Sequence, residues 1–256
     1  MRLALISDIH ANLEALQATL ADIAAQRVDR IVCLGDIVGY NTKPAECLAL
    51  IRDCHALCVA GNHDLAVCGR IATSDFSARA ARAVAWTRDR LTERDIAFLR
   101  DLPLKATIDK RVVAVHGALH PEQGCESVRL DNDERRMQSF AALKAHPSGA
   151  RICAFGHTHR AGVYELCGGR ATVRAESDAA LRDDAYYLIN PGTVGEPRSR
   201  DRRASYMVLD LTQQSAMHRH VRYDASLPFM ATREAGLAPR LGLATLTDKL
   251  RDLLEI

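Results

Sequence analysis

Short β-prone apolar runs alternate with amphipathic stretches along the front of the chain. Residues 2–7 form the first run, which stops at Asp8-Ile9-His10-Ala11-Asn12. Leu13, Leu16, Leu20, Ile23 and Ala24 then recur at the spacing of one helix face. Asn12 is placed to cap that helix and Glu14 lies in its first turn, so a helix is predicted to about Gln26. Residues 30–34 predict a second strand, ending at Gly35-Asp36-Ile37-Val38-Gly39-Tyr40. Pro44 suits the first turn of the helix that carries Leu48 and Ile51. Residues 56–60 are a third apolar run, ending in a predicted loop at Gly61-Asn62-His63-Asp64. Strand and helix in this alternation predict a parallel sheet covered by helices.

The pattern from residue 75 to residue 100 is helical, with a break at Thr92, because Thr92-x-x-Asp95 resembles a capping box. Residues 104–108 and 111–115 flank Asp109-Lys110 as a hairpin, and the second of these strands ends at His116-Gly117. A helix is predicted over 131–146. A buried strand over 152–155 stops at Gly156-His157-Thr158-His159. Beyond that point the character changes. Residues 163–166 and 172–174 bracket Gly168-Gly169, and further strands are predicted over 186–189, 204–210 and 216–222. We therefore expect the second half of the chain to build a second sheet packed on the first. Leu243, Leu246, Leu250, Leu253 and Leu254 predict an amphipathic helix at about 241–255 that docks on the body. No linker, repeat or low-complexity segment interrupts the chain, so residues 1–256 read as one α/β domain.

Composition narrows the functional classes. The 34 Lys and Arg against 32 Asp and Glu leave a net charge of +2, too balanced for bulk attraction to nucleic acid or to a membrane surface. No apolar run approaches the roughly 18 residues of a spanning helix. The N-terminus lacks a signal-peptide pattern, so the expected compartment is the cytoplasm. Of the eight cysteines, Cys33, Cys58 and Cys153 lie within apolar runs. Cys54-His55-x-x-Cys58 has no second pair at zinc-finger spacing, and the thiols are read as free.

The strand ends carry the chemistry. Asp8, His10, Asp36, Asn62, His63, Asp64, His116, His157 and His159 all stand where a predicted strand gives way to a loop. That is the edge at which α/β folds gather functional groups. A lone histidine there is usually a hydrogen-bonded polar group, and a lone aspartate before a helix is usually a cap. Gathered together, these residues demand a charge partner. Nitrogen and oxygen donors without thiolate suit Mn, Fe, Zn, Ni or Co. Asp8-x-His10 and His157-x-His159 have the spacing that turns both side chains to one side of an extended chain. Seven donors exceed one tetrahedral site and suit two metals that share a bridging carboxylate. His63 titrates near neutral pH, and Asp64 is placed to hold its ring.

Asp8-x-His10, Gly35-Asp36-x-x-Gly39, Gly61-Asn62-His63-Asp64, Val115-His116-Gly117 and Gly156-His157-x-His159 resemble, in content and order, the five motifs of the calcineurin-like metallophosphoesterases. Asn190-Pro191-Gly192-Thr193-Val194-Gly195-Glu196-Pro197-Arg198, with the stretches around Asp8 and Asp36, is similar to the compact bacterial and archaeal phosphodiesterase branch. The resemblance covers residues 1 to about 210. It implies a four-layer αββα sandwich of two mixed β-sheets flanked by helices, with a dimetal site at the strand-end loops. It implies two divalent metal ions, one bound by Asp8, His10 and His159, the other by Asn62, His116 and His157. Asp36 would bridge them, and His63 would face the leaving group. Ala11 stands where the family usually has glycine, which narrows the backbone's freedom there. Asn41 stands where the branch often has glycine, and asparagine tolerates a left-handed conformation.

The resemblance further implies phosphoester hydrolysis, with a phosphodiester on a nucleotide-like or small-molecule substrate preferred. The expected mechanism is attack by a hydroxide bridging the two metals, with His63 as an imidazolium general acid held by Asp64. Arg198 is a candidate for binding a substrate phosphate, whereas Arg200, Arg202 and Arg203 read as a solvated basic loop. The alternatives are a phosphomonoesterase or protein phosphatase, a small nuclease, and a non-catalytic scaffold of the same fold. The chain carries no dedicated nucleic-acid-binding region. His55, His120, His146, His218 and His220 are assigned to surface or packing roles.

Overall fold

A computed structural model of the chain describes residues 1–174 and 178–238. The helix expected at about 241–255 lies outside these residues. β1 (Arg2–Ile6) runs into Asn12, whose side chain accepts from Ala15 N at 3.1 Å and caps α1 (Leu13–Ala25). β2 (Arg30–Cys33) leads to α2 (Pro44–Asp53), with Pro44 in the first turn. β3 is only Leu57–Cys58, shorter than its apolar run predicts, because Ala60 N leaves the ladder for Pro103 O. α3 (Asn62–Val67) begins at once, where the sequence predicts a loop. α4 (Ala78–Arg88) and α5 (Glu93–Asp101) part at Thr92, which forms the expected capping box with Asp95. β4 (Lys105–Ile108) and β5 (Val112–Val115) form the expected hairpin, with Asp109 and Lys110 both left-handed in its turn.

α6 (Asp133–Lys144) and β6 (Ile152–Ala154) follow, then the hairpin of β7 (Gly162–Cys167) and β8 (Arg170–Arg174). β9 (Ala179–Ala180), β10 (Tyr186–Asn190), β11 (Ala204–Asp210), β12 (Ser215–Val221) and α7 (Ser226–Glu234) complete the described elements. The strands form two sheets, ordered β3-β2-β1-β11-β12-β9 and β4-β5-β6-β10-β7-β8. β1, β2 and β3 are parallel, and β11 joins β1 antiparallel, with Leu5 opposite Val32 on one side and Met207 on the other. This corrects the expectation that the second half of the chain builds the second sheet. β11 and β12 return to the first sheet, and the second begins with β4. A strand's pattern reports its burial and not its neighbour, and β11 is buried along its whole length.

Alternating side chains then build three apolar interfaces. Leu3 and Leu5 face the second sheet, in one cluster with Ile108, Val112, Tyr187 and Ile189. Ala4 and Ile6 face the helices through Leu16, Ile23, Leu48 and Ile51. On the far side Val113, Val115, Cys153 and Leu188 pack on Phe140 and Leu143 of α6. The layers are helix, sheet, sheet, helix. α7 has no counterpart in the sequence pattern, because Leu227, Phe229 and Met230 are exposed while Pro228 and Thr232 are buried. Its apolar residues do not mark its inner face. At the strand ends the two sheets meet: His157 N, after β6, donates to Asp8 Oδ2, after β1, at 3.1 Å.

Candidate metal centre

The backbone at this edge is unusual. Asp8, His10, Ala11, Asp36, Tyr40, His157 and His159 all take left-handed φ angles, between 48° and 64°. Residues with a Cβ rarely adopt this region, and such positions concentrate at functional sites. The pleat has therefore ended before Asp8, and the two-residue spacing no longer sets direction. His157 and His159 do not point together, as extended chain predicts. His159 groups with Asp8 and His10, and His157 groups with Asp36 and His116.

The nine candidate strand-end residues nonetheless converge. His159 Nε2 lies 3.2 Å from Asp8 Oδ1 and 3.2 Å from His10 Nε2. His10 Nε2 and His116 Nε2 lie 3.5 and 3.3 Å from Asp36 Oδ2, which stands between the two groups. Asn62 Oδ1 is 3.1 Å from His116 Nε2. Three rings are fixed by their far nitrogens. Nδ1 donates to Val38 O from His10 (3.2 Å), to Leu34 O from His116 (2.7 Å) and to Glu196 O from His159 (2.6 Å). An imidazole that donates outward through Nδ1 turns its Nε2 the other way, and here each Nε2 points inward. His157 is reversed: its Nε2 donates to Ser127 O at 3.2 Å, which leaves Nδ1 as its acceptor.

His10 Nε2 and His159 Nε2 face each other at 3.2 Å, and Asp8 Oδ1 is buried without a hydrogen-bond donor. This arrangement suits a cation and is costly without one. Charge balance points the same way. Burial opposes the charge on Asp8, yet His159 and His116 hold its pKa down at about 2. Burial likewise opposes the charge on Asp36, and His116 and His63 pull it well below the usual carboxylate range. Burial resists a proton on His116, but Asp36 and Asp8 lift its pKa to about 9. The cluster attracts positive charge, and its oxygen and nitrogen donors fit two divalent cations.

Two expectations need correction. Asp64 does not hold His63. Its Oδ1 accepts from Ile37 N (3.0 Å) and Val38 N (3.2 Å), and its Oδ2 from Gly61 N (3.0 Å). Because α3 starts at Asn62, Asp64 is a carboxylate of the first helical turn, tying that turn to the loop after Asp36. His63 is held by rings instead, with the centroids of His10, Tyr40 and Phe76 at 4.8, 4.6 and 5.1 Å. Its Nδ1 is buried without a hydrogen-bond partner, against Gly39, where an added Cβ would collide with it. Burial lowers the His63 pKa to about 4, so the ring is neutral at pH 7 and not the expected imidazolium.

Arg198 lines a cavity of about 610 Å³ together with Asp36, Asn62, His63, His157 and His159. Phe76, Arg129 and Arg135 line it too. No motif marks these three, which come from segments remote in sequence from the strand ends. Glu196 sits inside the Asn190–Arg198 motif, but its role is carried by a backbone carbonyl, which sequence does not display.

The family model of the calcineurin-like phosphoesterase superfamily domain matches residues 1–214. An uncharacterized protein of Methanocaldococcus jannaschii is 37% identical over 212 residues, covering 81% of this chain and 82% of that protein. The crystal structure of a metallophosphoesterase from Sphaerobacter thermophilus superposes with a TM-score of 0.77 at 34% identity, covering 93% of this chain and 95% of that one. A hypothetical protein from Pyrococcus horikoshii shares the fold alone, with a TM-score of 0.73 at 18% identity over 93% and 94% of the two chains. With the five motifs folded into one buried cluster and the domain matched over residues 1–214, the chain belongs to the calcineurin-like phosphoesterase superfamily.

Proposed function

We propose that the protein is a metal-dependent phosphoesterase whose substrate is a phosphodiester, nucleotide-like or otherwise small. The observation that carries this reading is the set of three inward imidazole nitrogens and two carboxylates, crowded together in one buried cluster. Asp8, His10 and His159 would hold one divalent cation, Asn62, His116 and His157 the other, and Asp36 both. Bound there, the cations supply Lewis acidity, lowering the pKa of water and offsetting phosphate charge. The chain's own contribution is positional. The carbonyls of Val38, Leu34 and Glu196 stop three rings from turning. Arg198 offers a planar fork to phosphate oxygens that are not displaced. His63, neutral and clamped by Tyr40 and Phe76, offers an N–H to the leaving oxygen and stabilises its developing charge by a hydrogen bond.

The test uses metal-stripped protein reloaded in turn with Mn, Fe, Zn, Ni or Co. Turnover of bis-p-nitrophenyl phosphate, restored by metal and abolished by chelator, is the expected result. Binding of no metal with hydrolysis of neither diester nor monoester rejects the reading. Hydrolysis of p-nitrophenyl phosphate alone rejects the diester preference.

A further inference from the structure

We infer that the segment from α7 to Leu237 positions one half of the metal centre, through two separate hydrogen-bonded chains. The inference rests on the dimetal reading above. This segment lies beyond residue 214, where the match to the family domain ends.

The first chain starts at Thr232, buried on α7. Its hydroxyl donates to Asn41 Oδ1 at 3.1 Å. Asn41 Nδ2 in turn donates to His10 O at 2.9 Å, and Asn41 N reaches the same carbonyl at 3.2 Å. His10 has a φ of 48°, a conformation unfavourable for a residue with a Cβ that persists only where its surroundings hold it. Asn41 is part of that hold, and the Thr232 hydroxyl fixes which way the Asn41 amide points.

The second chain starts at Leu237, whose carbonyl accepts from Arg79 Nε at 3.2 Å. Arg79 Nη1 donates to the Glu196 carboxylate at 2.7 Å, and Glu196 O accepts from His159 Nδ1 at 2.6 Å. The Arg79 guanidinium also lies over the Tyr40 ring at 4.6 Å, and Tyr40 packs edge-on against His10 at 4.7 Å. The Leu237 side chain is buried with Tyr40, Ala80 and Ala83.

Both chains end on the same group, Asp8, His10 and His159. The other group is anchored elsewhere, His116 on Leu34 O and His157 on Ser127 O. The two candidate cation positions are therefore supported unequally. Groups bonded directly to a metal's ligands typically change its affinity 10- to 100-fold. Thr232 and Arg79 act one bond further out, so loss of either chain is expected to weaken one position at the low end of that range and spare the other.

The experiment uses full-length protein carrying Thr232→Val, Thr232→Ser or Arg79→Met. Mn²⁺ binding is followed by calorimetry, and each position is assigned by anomalous diffraction at the metal edge. Wild type is expected to bind two ions. Thr232→Val should weaken one of them about tenfold. Anomalous signal should then fall between His10 and His159 and persist beside His116. Thr232→Ser should restore it, and Arg79→Met should reproduce the selective loss through the other chain. Equal weakening of both positions, or of neither, overturns the inference and leaves the dimetal reading standing. A wild type that binds no metal overturns both.

Discussion

Two cavities open at opposite ends of β5 and β6, and only one has the makings of a reactive site. The cavity at the strand starts has a volume of about 350 Å³ and is lined by Lys110, Arg111, Arg151 and Arg182. By charge alone it would be the better anion site. Several of its polar groups are satisfied locally, however. Arg182 is held by Asp184 through two bonds, and Arg111 donates to Leu211 O. Tyr187 Oη takes the Arg182 N–H and donates to Glu165. At the strand ends the polar groups are buried, aimed at one another and incompletely paired, as Ser7 Oγ, Asp8 Oδ1 and His63 Nδ1 show. Volume and charge do not identify the reactive cavity. Buried polar atoms without a hydrogen-bond partner do.

The strongest way to break this comparison is Asp36→Asn. Asp36 is the carboxylate shared by both groups, and its loss is expected to lower diester hydrolysis on the order of 10³-fold while metal content falls. Activity retained within tenfold would erase the distinction between the cavities. Next is His63→Ala. A loss of about 10²-fold is expected on a diester with an alkoxide leaving group, with less on a p-nitrophenyl ester and metal content unchanged. Metal loss would move His63 among the ligands.

A paired substitution sharpens the contrast directly. Arg198→Ala is expected to raise KM about tenfold at constant kcat, the effect of one charge-assisted hydrogen bond. Arg151→Ala, in the other cavity, should leave both constants unchanged. Equal effects would mean that the strand-start cavity also meets substrate.

The smallest effect lies outside both cavities. Asp22 on α1 accepts from Tyr206 Oη and from Arg219 Nη2, the latter at 2.9 Å. Burial opposes its charge, but the bonds from Arg219 and Tyr206 lower its pKa. A carboxylate depressed in the folded state adds stability above its unfolded pKa of about 3.9, and that stability is lost as pH falls through the folded value. Asp22→Asn should cost about 1 kcal/mol or less at pH 7, because the pair is partly in water, and leave kcat unchanged. The gap from wild type in denaturant should close at acid pH.

Sequence marks the residues of the site better than their geometry. Asp8, Asp36, Asn62, His116 and His159 are legible because strand ends of parallel sheets gather on one edge. Their directions are not, since left-handed residues at Asp8, His10 and His157 replace the alternation that spacing arguments assume. Asp64 looks like a partner for its neighbour His63, but two of its three partners, Ile37 and Val38, lie 27 and 26 residues away. The neutral state of His63 is equally illegible, since it follows from burial among Tyr40 and Phe76. For the fold, local elements such as the Thr92 cap and the Asp109-Lys110 turn follow from nearby residues. The return of β11 to β1 depends on contacts some 200 residues apart, as in the pairing of Leu5 with Met207.

Each candidate cation position draws on both sheets: Asp8 and His10 follow β1, Asp36 follows β2 and Asn62 follows β3, whereas His116 follows β5 and His157 and His159 follow β6. An ion seated in either group pins one sheet to the other. Release of the ion and parting of the layers then belong to one equilibrium, and the chain's melting temperature becomes a function of the medium. Every tenfold rise in free metal above the dissociation constant adds about 1.4 kcal/mol to the folded state. Heat resistance in this protein would thus report the metal supply around it.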